Sequence, residues 1–140
     1  MIITLPIKAK SKARPRFGKS GQIYTPTEKY ERELKLLMKQ AIMERGFADT
    51  CPLDGYISVS ITFTFENKKW RGDIDNFIKA VLDAGNGVLW SDDKNIVDVK
   101  AKILTERQDE IIIGWWKAEP PNADSEEWKE DERREFWNED

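Results

Sequence analysis

Between Tyr56 and Phe65 the chain alternates without a break, with Ile57, Val59, Ile61, Phe63 and Phe65 on one side and Ser58, Ser60, Thr62 and Thr64 on the other. A period of two held over this length specifies a strand with one apolar and one polar face. A strand of that kind is half-buried in an antiparallel or mixed sheet, so neighbouring strands and a covering layer must come from the rest of the chain. Ile2 to Ile7 reads as a short strand. Thr25 as N-cap and Pro26 at the first helical position open a helix, and Tyr30, Leu34, Leu37, Met38, Ala41 and Ile42 recur along it at helical spacing until Gly46 ends it. Ile96 to Leu104 alternates again, with Val97, Val99, Ala101 and Ile103 expected inward. Ile111 to Lys117 returns after the turn Glu106 to Asp109, and the two segments are expected to pair as a hairpin.

A second helix is predicted from Ile74 to Ala84, ended by Gly85. Ile74, Phe77, Ile78, Val81 and Leu82 make one apolar stripe that packs on the sheet. The expected fold is therefore α+β, a mixed sheet of about four strands with two main helices, in the order strand, helix, strand, helix, strand, strand. A chain of 140 residues is one ordinary domain. Residues 1–117 are assigned to it, and Glu119-Pro-Pro-Asn breaks the sheet ahead of a compositionally different segment, 118–140. No apolar run is long enough for a membrane span and the first residues lack the pattern of a signal peptide, so a cytoplasmic protein is expected.

The helix from Ile74 carries chemistry on its polar side. Asp73, Asp75, Asn76, Lys79 and Asp83 lie there, and the following loop, Gly87 to Asp93, ends in Asp92 and Asp93. Ordinary structural roles exist for each residue alone: Asp73 as an N-cap, Asp75 and Asn76 favouring a helix start, and Asp75–Lys79–Asp83 as two surface ion pairs worth ~0.3–0.5 kcal/mol each. The set is harder to explain that way, because a cap needs one acid. The loop is long enough to run back along the helix and set Asp92 and Asp93 beside Asp73 and Asp75, and carboxylates gathered within contact distance imply a bound cation. The chain contains no histidine and a single cysteine, Cys51, which excludes imidazole bases, histidine ligands and thiolate clusters. A metal held here is a hard ion on oxygen ligands: magnesium, with manganese as a substitute. Lys79, one turn after Asp75, would direct positive charge at a phosphate or orient the attacking water.

Charge is unevenly spread. The net −3 combines −7 in residues 118–140, ten acids against three bases, with +4 in residues 1–117. Lys8, Lys10, Lys12, Arg14, Arg16 and Lys19 form a basic loop with no acid before Glu28. Such a run is either a solvated loop or a polyanion site. Arg14 and Arg16 offer guanidinium forks to phosphate and Phe17 a ring to a base, and Lys69 and Arg71, in the connector before Asp73, extend the basic surface. The acidic segment, with Trp128, Phe136 and Trp137, is either a solvated helical or disordered tail, or it docks on a protein partner or on the chain's own basic face.

Asp73-Ile-Asp-Asn with Lys79, then Asp83, then Gly-Val-Leu-Trp-Ser-Asp-Asp from Gly87 to Asp93, together resemble the RusA family of Holliday junction resolvases, small nucleases common in phages and prophages. Pro15-Arg-Phe and Tyr24-Thr-Pro fit the same family, and the resemblance extends over about residues 1–117. It implies a homodimer that cleaves four-way DNA junctions with magnesium, nicking two opposed strands symmetrically. By motif position Asp73, Asp75 and Asp93 would be metal ligands, with Asp92 the neighbouring candidate, and Lys79 the catalytic or DNA-contacting base. Two other readings stay open on the residues alone: a non-catalytic branched-DNA binding module, and a magnesium-dependent hydrolase of nucleotides.

Overall fold

The computed structural model describes residues 1–11, 16–17, 23–24 and 28–122, with only the backbone for 16–17 and 23–24. Lys12, Arg14, Lys19, the Thr25–Pro26 helix opening and the acidic segment from residue 123 lie outside the described residues, as do the side chains of Arg16, Phe17 and Tyr24.

Strand β4 (Ile57–Phe65) is hydrogen-bonded along both edges. It runs parallel to β5 (Ile96–Thr105) and antiparallel to β6 (Glu110–Lys117), and β1 (Ile2–Leu5) pairs antiparallel with the far edge of β6. The sheet order is β1-β6-β4-β5. The expected hairpin of β5 with β6 is therefore not formed, because β4 lies between them. The link 106–109 steps over the end of β4, a distance of two strand spacings, roughly 10 Å, that four residues cover. Three hydrogen bonds fasten it there. Arg107 N–H donates to the Phe65 carbonyl at 3.1 Å, Glu66 N–H to Asp109 Oδ1 at 2.9 Å, and Thr64 Oγ1 to the Gln108 carbonyl. The most regular apolar strand thus takes the central place, where its buried face is fully used.

Two helices cover that face. Helix α1 (Glu28–Glu44) buries Tyr30, Leu34, Met38, Ala41 and Ile42, and α2 (Ile74–Gly85) buries Phe77, Ala80, Val81 and Ala84. Beneath them lie the five apolar residues of β4 with Ile3, Leu5, Ile111, Ile113 and Trp115, all at most 1% exposed. Strand β5 departs from expectation. It is an edge strand, and a register shift pairs Ile57 with Ile96 but Ser58 with Asp98, leaving Val97 as the extra residue of a bulge. Val97 and Val99 stay 39% and 37% exposed. The segment expected to be an irregular basic loop holds a small antiparallel pair, β2 (Arg16–Phe17) with β3 (Ile23–Tyr24). Among the described residues no helix is long and apolar enough to cross a membrane.

At its C-terminal end α2 meets the indole of Trp90, which is wholly buried. A methyl group at Gly85 would fall within 2.7 Å of Trp90 Cε2, so the buried ring or the helix would have to shift to admit it. Gly85→Ala is expected to cost ~1–3 kcal/mol of stability through overpacking. Urea denaturation checks it, and an unchanged midpoint would contradict the close packing described.

Candidate functional site

Asp73 occupies the N-cap of α2 with extended backbone (φ −101°, ψ 146°), and its carbonyl accepts from Asn76 N–H and Phe77 N–H, both at 3.1 Å. Its carboxylate makes no capping hydrogen bond. The ordinary use of an aspartate at this position is thus absent, and the charged group is left exposed at the positive end of the helix, beside the exposed Asp75. The chain reaches this point through Gly72 at φ +104°, where a Cβ would run into Ser11 Oγ and lie within 2.8 Å of the Phe77 ring. Only glycine brings the backbone so close to the core immediately before the acids. Asp75 and Lys79 form no ion pair with each other, although their spacing allows one, and the Lys79 side chain is exposed. Asn76 and Asp83 are half-buried on the same helix.

The loop acids are delivered by a different device. Val88, Leu89 and Trp90 are buried, Trp90 Nε1 donates to the Leu82 carbonyl at 3.3 Å, and Leu53 brackets the loop with Leu53 N–H to Leu89 O at 3.0 Å and Ser91 N–H to Leu53 O at 3.1 Å. Asp93 N–H then donates to Asn86 Oδ1 at 2.7 Å. Asn86 is itself the C-cap of α2, and Lys35 of α1 donates its ammonium to the carbonyls of Ala84 (3.0 Å) and Asn86 (3.2 Å), neutralising the negative helix end. Asp92 caps the short 3-10 turn Asp93–Asn95, accepting from Lys94 N–H at 3.1 Å and pairing with Lys94 Nζ at 3.6 Å. That backbone N–H, and secondarily the Lys94 charge, hold its carboxyl below the usual aspartate range. Asp92 therefore has local partners for its carboxylate, whereas Asp93 is held through its backbone.

The expected meeting of the loop acids with the helix acids does not occur within one chain: the bonds of Asn86, Trp90 and Leu53 hold the loop at the C-terminal end of α2, so Asp73 and Asp75 lie at one end of the helix and Asp92 and Asp93 at the other. A twelve-residue helix separates them by roughly 18 Å. Among the described residues no three acidic or cysteine side chains stand close enough to hold a metal as a group. The donor chemistry at the N-terminal end still suits magnesium, which takes hard oxygens and binds through one or two carboxylates while keeping water and phosphate oxygens as its other ligands. Asp73 and Asp75 are the pair that fits.

Of the predicted nucleic-acid contacts, Lys10, Lys69 and Arg71 lie together on an exposed basic surface with Lys8, next to Asp73. Several positioning residues escaped the sequence reading. Tyr30, assigned only to the core, donates to the Lys8 carbonyl at 2.9 Å and accepts from Lys10 N–H at 3.1 Å, and burial pushes its phenol up to about 12. Lys35 and Asn86 carried no signal beyond a polar residue facing a helix end and an asparagine between two glycines.

Residues 6–114 match the family model of endodeoxyribonuclease RusA. No curated protein matches the chain.

Removing the Asn86 side-chain oxygen leaves the Asp93 N–H without its acceptor. Asn86→Ala is expected to lose ~0.5–1.5 kcal/mol of stability and to speed amide exchange at Asp93. Exchange unchanged at Asp93 would mean that this bond does not fix the loop.

Proposed function

The chain belongs to the RusA family of endodeoxyribonucleases, which act on Holliday junctions, and from that premise we propose that it is a magnesium-dependent, structure-selective nuclease that resolves four-way DNA junctions by paired symmetric nicks, leaving 5′-phosphate ends. The observation that carries the reading is the Asp73 carboxylate, placed where an N-cap belongs yet making no capping bond, inside a family match that spans both acidic segments. In this reading Asp73 and Asp75 hold the metal. When bound, magnesium supplies charge to the phosphate oxygens and lowers the pKa of water, with manganese able to substitute. Lys79, exposed and unpaired with Asp75, offers its ammonium to the negative charge that grows on the phosphate or orients the attacking water. Asn76 and Asp83 support the same helix face. Lys10, Lys12, Arg14, Arg16, Lys69 and Arg71 hold the DNA backbone, with Phe17 stacking on a base.

A homodimer supplies what one chain lacks. Two copies related by a two-fold axis, with their α2 helices antiparallel, set the Asp93 end of one helix against the Asp73 end of the other. The free edge of β5 at the bulge, where Val97 and Val99 are exposed, is the surface such a pairing would cover. The metal ligands are then Asp73 and Asp75 of one chain with Asp93, beside Asp92, of its partner.

Two experiments test these statements. Asp73→Asn should bind a four-way junction and fail to cut it, and chelation of magnesium should abolish cutting by the unmodified chain. Normal cutting by the variant would rule out the metal assignment, and hydrolysis of free mononucleotides would favour a nucleotide hydrolase instead. For the dimer, Asp73→Asn and Asp93→Asn proteins, each inactive alone, are mixed and allowed to exchange subunits. Each hybrid then has one site with both ligands intact, so single-strand nicking, and manganese binding read by electron paramagnetic resonance, should recover to about a quarter of wild type. That follows because half the dimers are hybrid and half their sites are whole. No recovery, despite exchange verified by tagged subunits, would show that the acids act within one chain.

A further inference from the structure

Immediately before Asp73 the chain forms a cleft of about 480 Å³. One wall is the segment Lys8–Ser11 that leaves β1, and the other is the connector Asn67–Gly72 between β4 and α2. Among the described residues four cations line it, Lys8, Lys10, Lys69 and Arg71, and no acid does. Its size lies within the ~300–1,000 Å³ of small-ligand sites.

The walls are held from behind. Tyr30 clamps the first through its bonds to Lys8 and Lys10, and the Lys10 ammonium lies 5.5 Å from the centre of the Tyr30 ring. The second is held by Trp70. Its indole stacks on Phe65 with ring centres 6.0 Å apart and planes 17° from parallel, and Phe65 packs in turn on Phe77 of α2 at 5.7 Å. Phe65 is buried, while Trp70 is 40% exposed between Lys69 and Arg71. A large flat ring, backed by the core on one face, 40% exposed and flanked in the chain by cations, has the chemistry to accept a nucleobase on the ring and its phosphates on the cations.

We propose that this cleft is a subsite for one unstacked nucleotide next to the bond that is cut, with Trp70 as the platform for its base. The proposal rests on the nuclease reading above and adds what selects the substrate. Drawing a base out of an intact duplex costs a few kcal/mol, and the cost is lower where pairing or stacking is already broken. Trp70 therefore favours DNA at a branch point over continuous duplex, whereas the cations hold the backbone of either.

The test uses the full chain with an immobile four-way junction and a linear duplex of the same sequence, each carrying 2-aminopurine beside the expected cut. Trp70→Ala should weaken binding and single-turnover cleavage of the junction roughly ten- to hundredfold, the range found for removing one stacking partner. The loss on linear duplex should be at least fivefold smaller, and the 2-aminopurine signal of the bound junction should change. Trp70→Phe should restore most of the effect, and Trp70→Leu, apolar without a stacking plane, should not. Equal losses on both DNAs, or rescue by leucine as good as by phenylalanine, would overturn the subsite. Melting curves of each variant exclude misfolding as the cause. Asp73→Asn keeps the two readings apart: it should abolish cutting and leave the 2-aminopurine response intact. Cutting retained in Asp73→Asn would refute the metal assignment without touching the stacking result.

Discussion

Hydrogen bonding of β4 on both edges is the constraint from which the site geometry follows. Because β5 runs parallel to β4, the chain has to return the whole length of the strand before starting β5, and α2 is that return. The helix consequently begins at the end where β4 finishes and ends where β5 starts. Asp73 follows the first junction and Asp93 precedes the second, so the two acidic segments inherit opposite ends of one helix. A hairpin of β5 with β6 would still have left α2 between the acidic segments, but it would have removed β5 from the strand that α2 covers.

Within that frame the two ends are finished differently. At the N-terminal end the backbone is satisfied by the Asp73 carbonyl, which leaves both carboxylates exposed to whatever approaches. At the C-terminal end polar groups are spent on holding the loop, with Lys35 on two carbonyls, Asn86 on the Asp93 amide and Asp92 on the Lys94 amide. One end leaves its carboxylates exposed, and the other uses its polar groups to fix the position of the loop. The aromatic series Phe63, Phe77, Phe65 and Trp70 ties the connector wall of the cleft and the start of α2 to the core.

Much of this was legible in the residues. The periods of β4, α1 and α2 gave their extents to within a few residues, and the family motifs pointed to a match that residues 6–114 bear out. Pairing partners were not legible, because alternation names a strand's faces and says nothing of its neighbours. The bulge at Val97 likewise depends on how β5 aligns with β4 and leaves no mark in composition. Taken alone Asp73 reads more readily as a cap, and its side-chain geometry shows that it makes no capping bond. The basic residues could be read as a solvated loop or a polyanion site, and their charge gave no sign that Tyr30 holds Lys8 and Lys10 from 20 or more positions away.

The pairing of β1 with β6 has a consequence for how the chain comes to be folded. Among the described residues Ile2 to Leu5 find their partners in the sheet only at Ile111 to Gly114, near the far end of the domain. Any nascent chain shorter than this has its first strand without a place, and β4 with one open edge. The sheet therefore closes last across its greatest sequence separation, which makes assembly a late, all-or-none event. Until then the apolar face of β4 has to be sheltered by α1 and α2 alone.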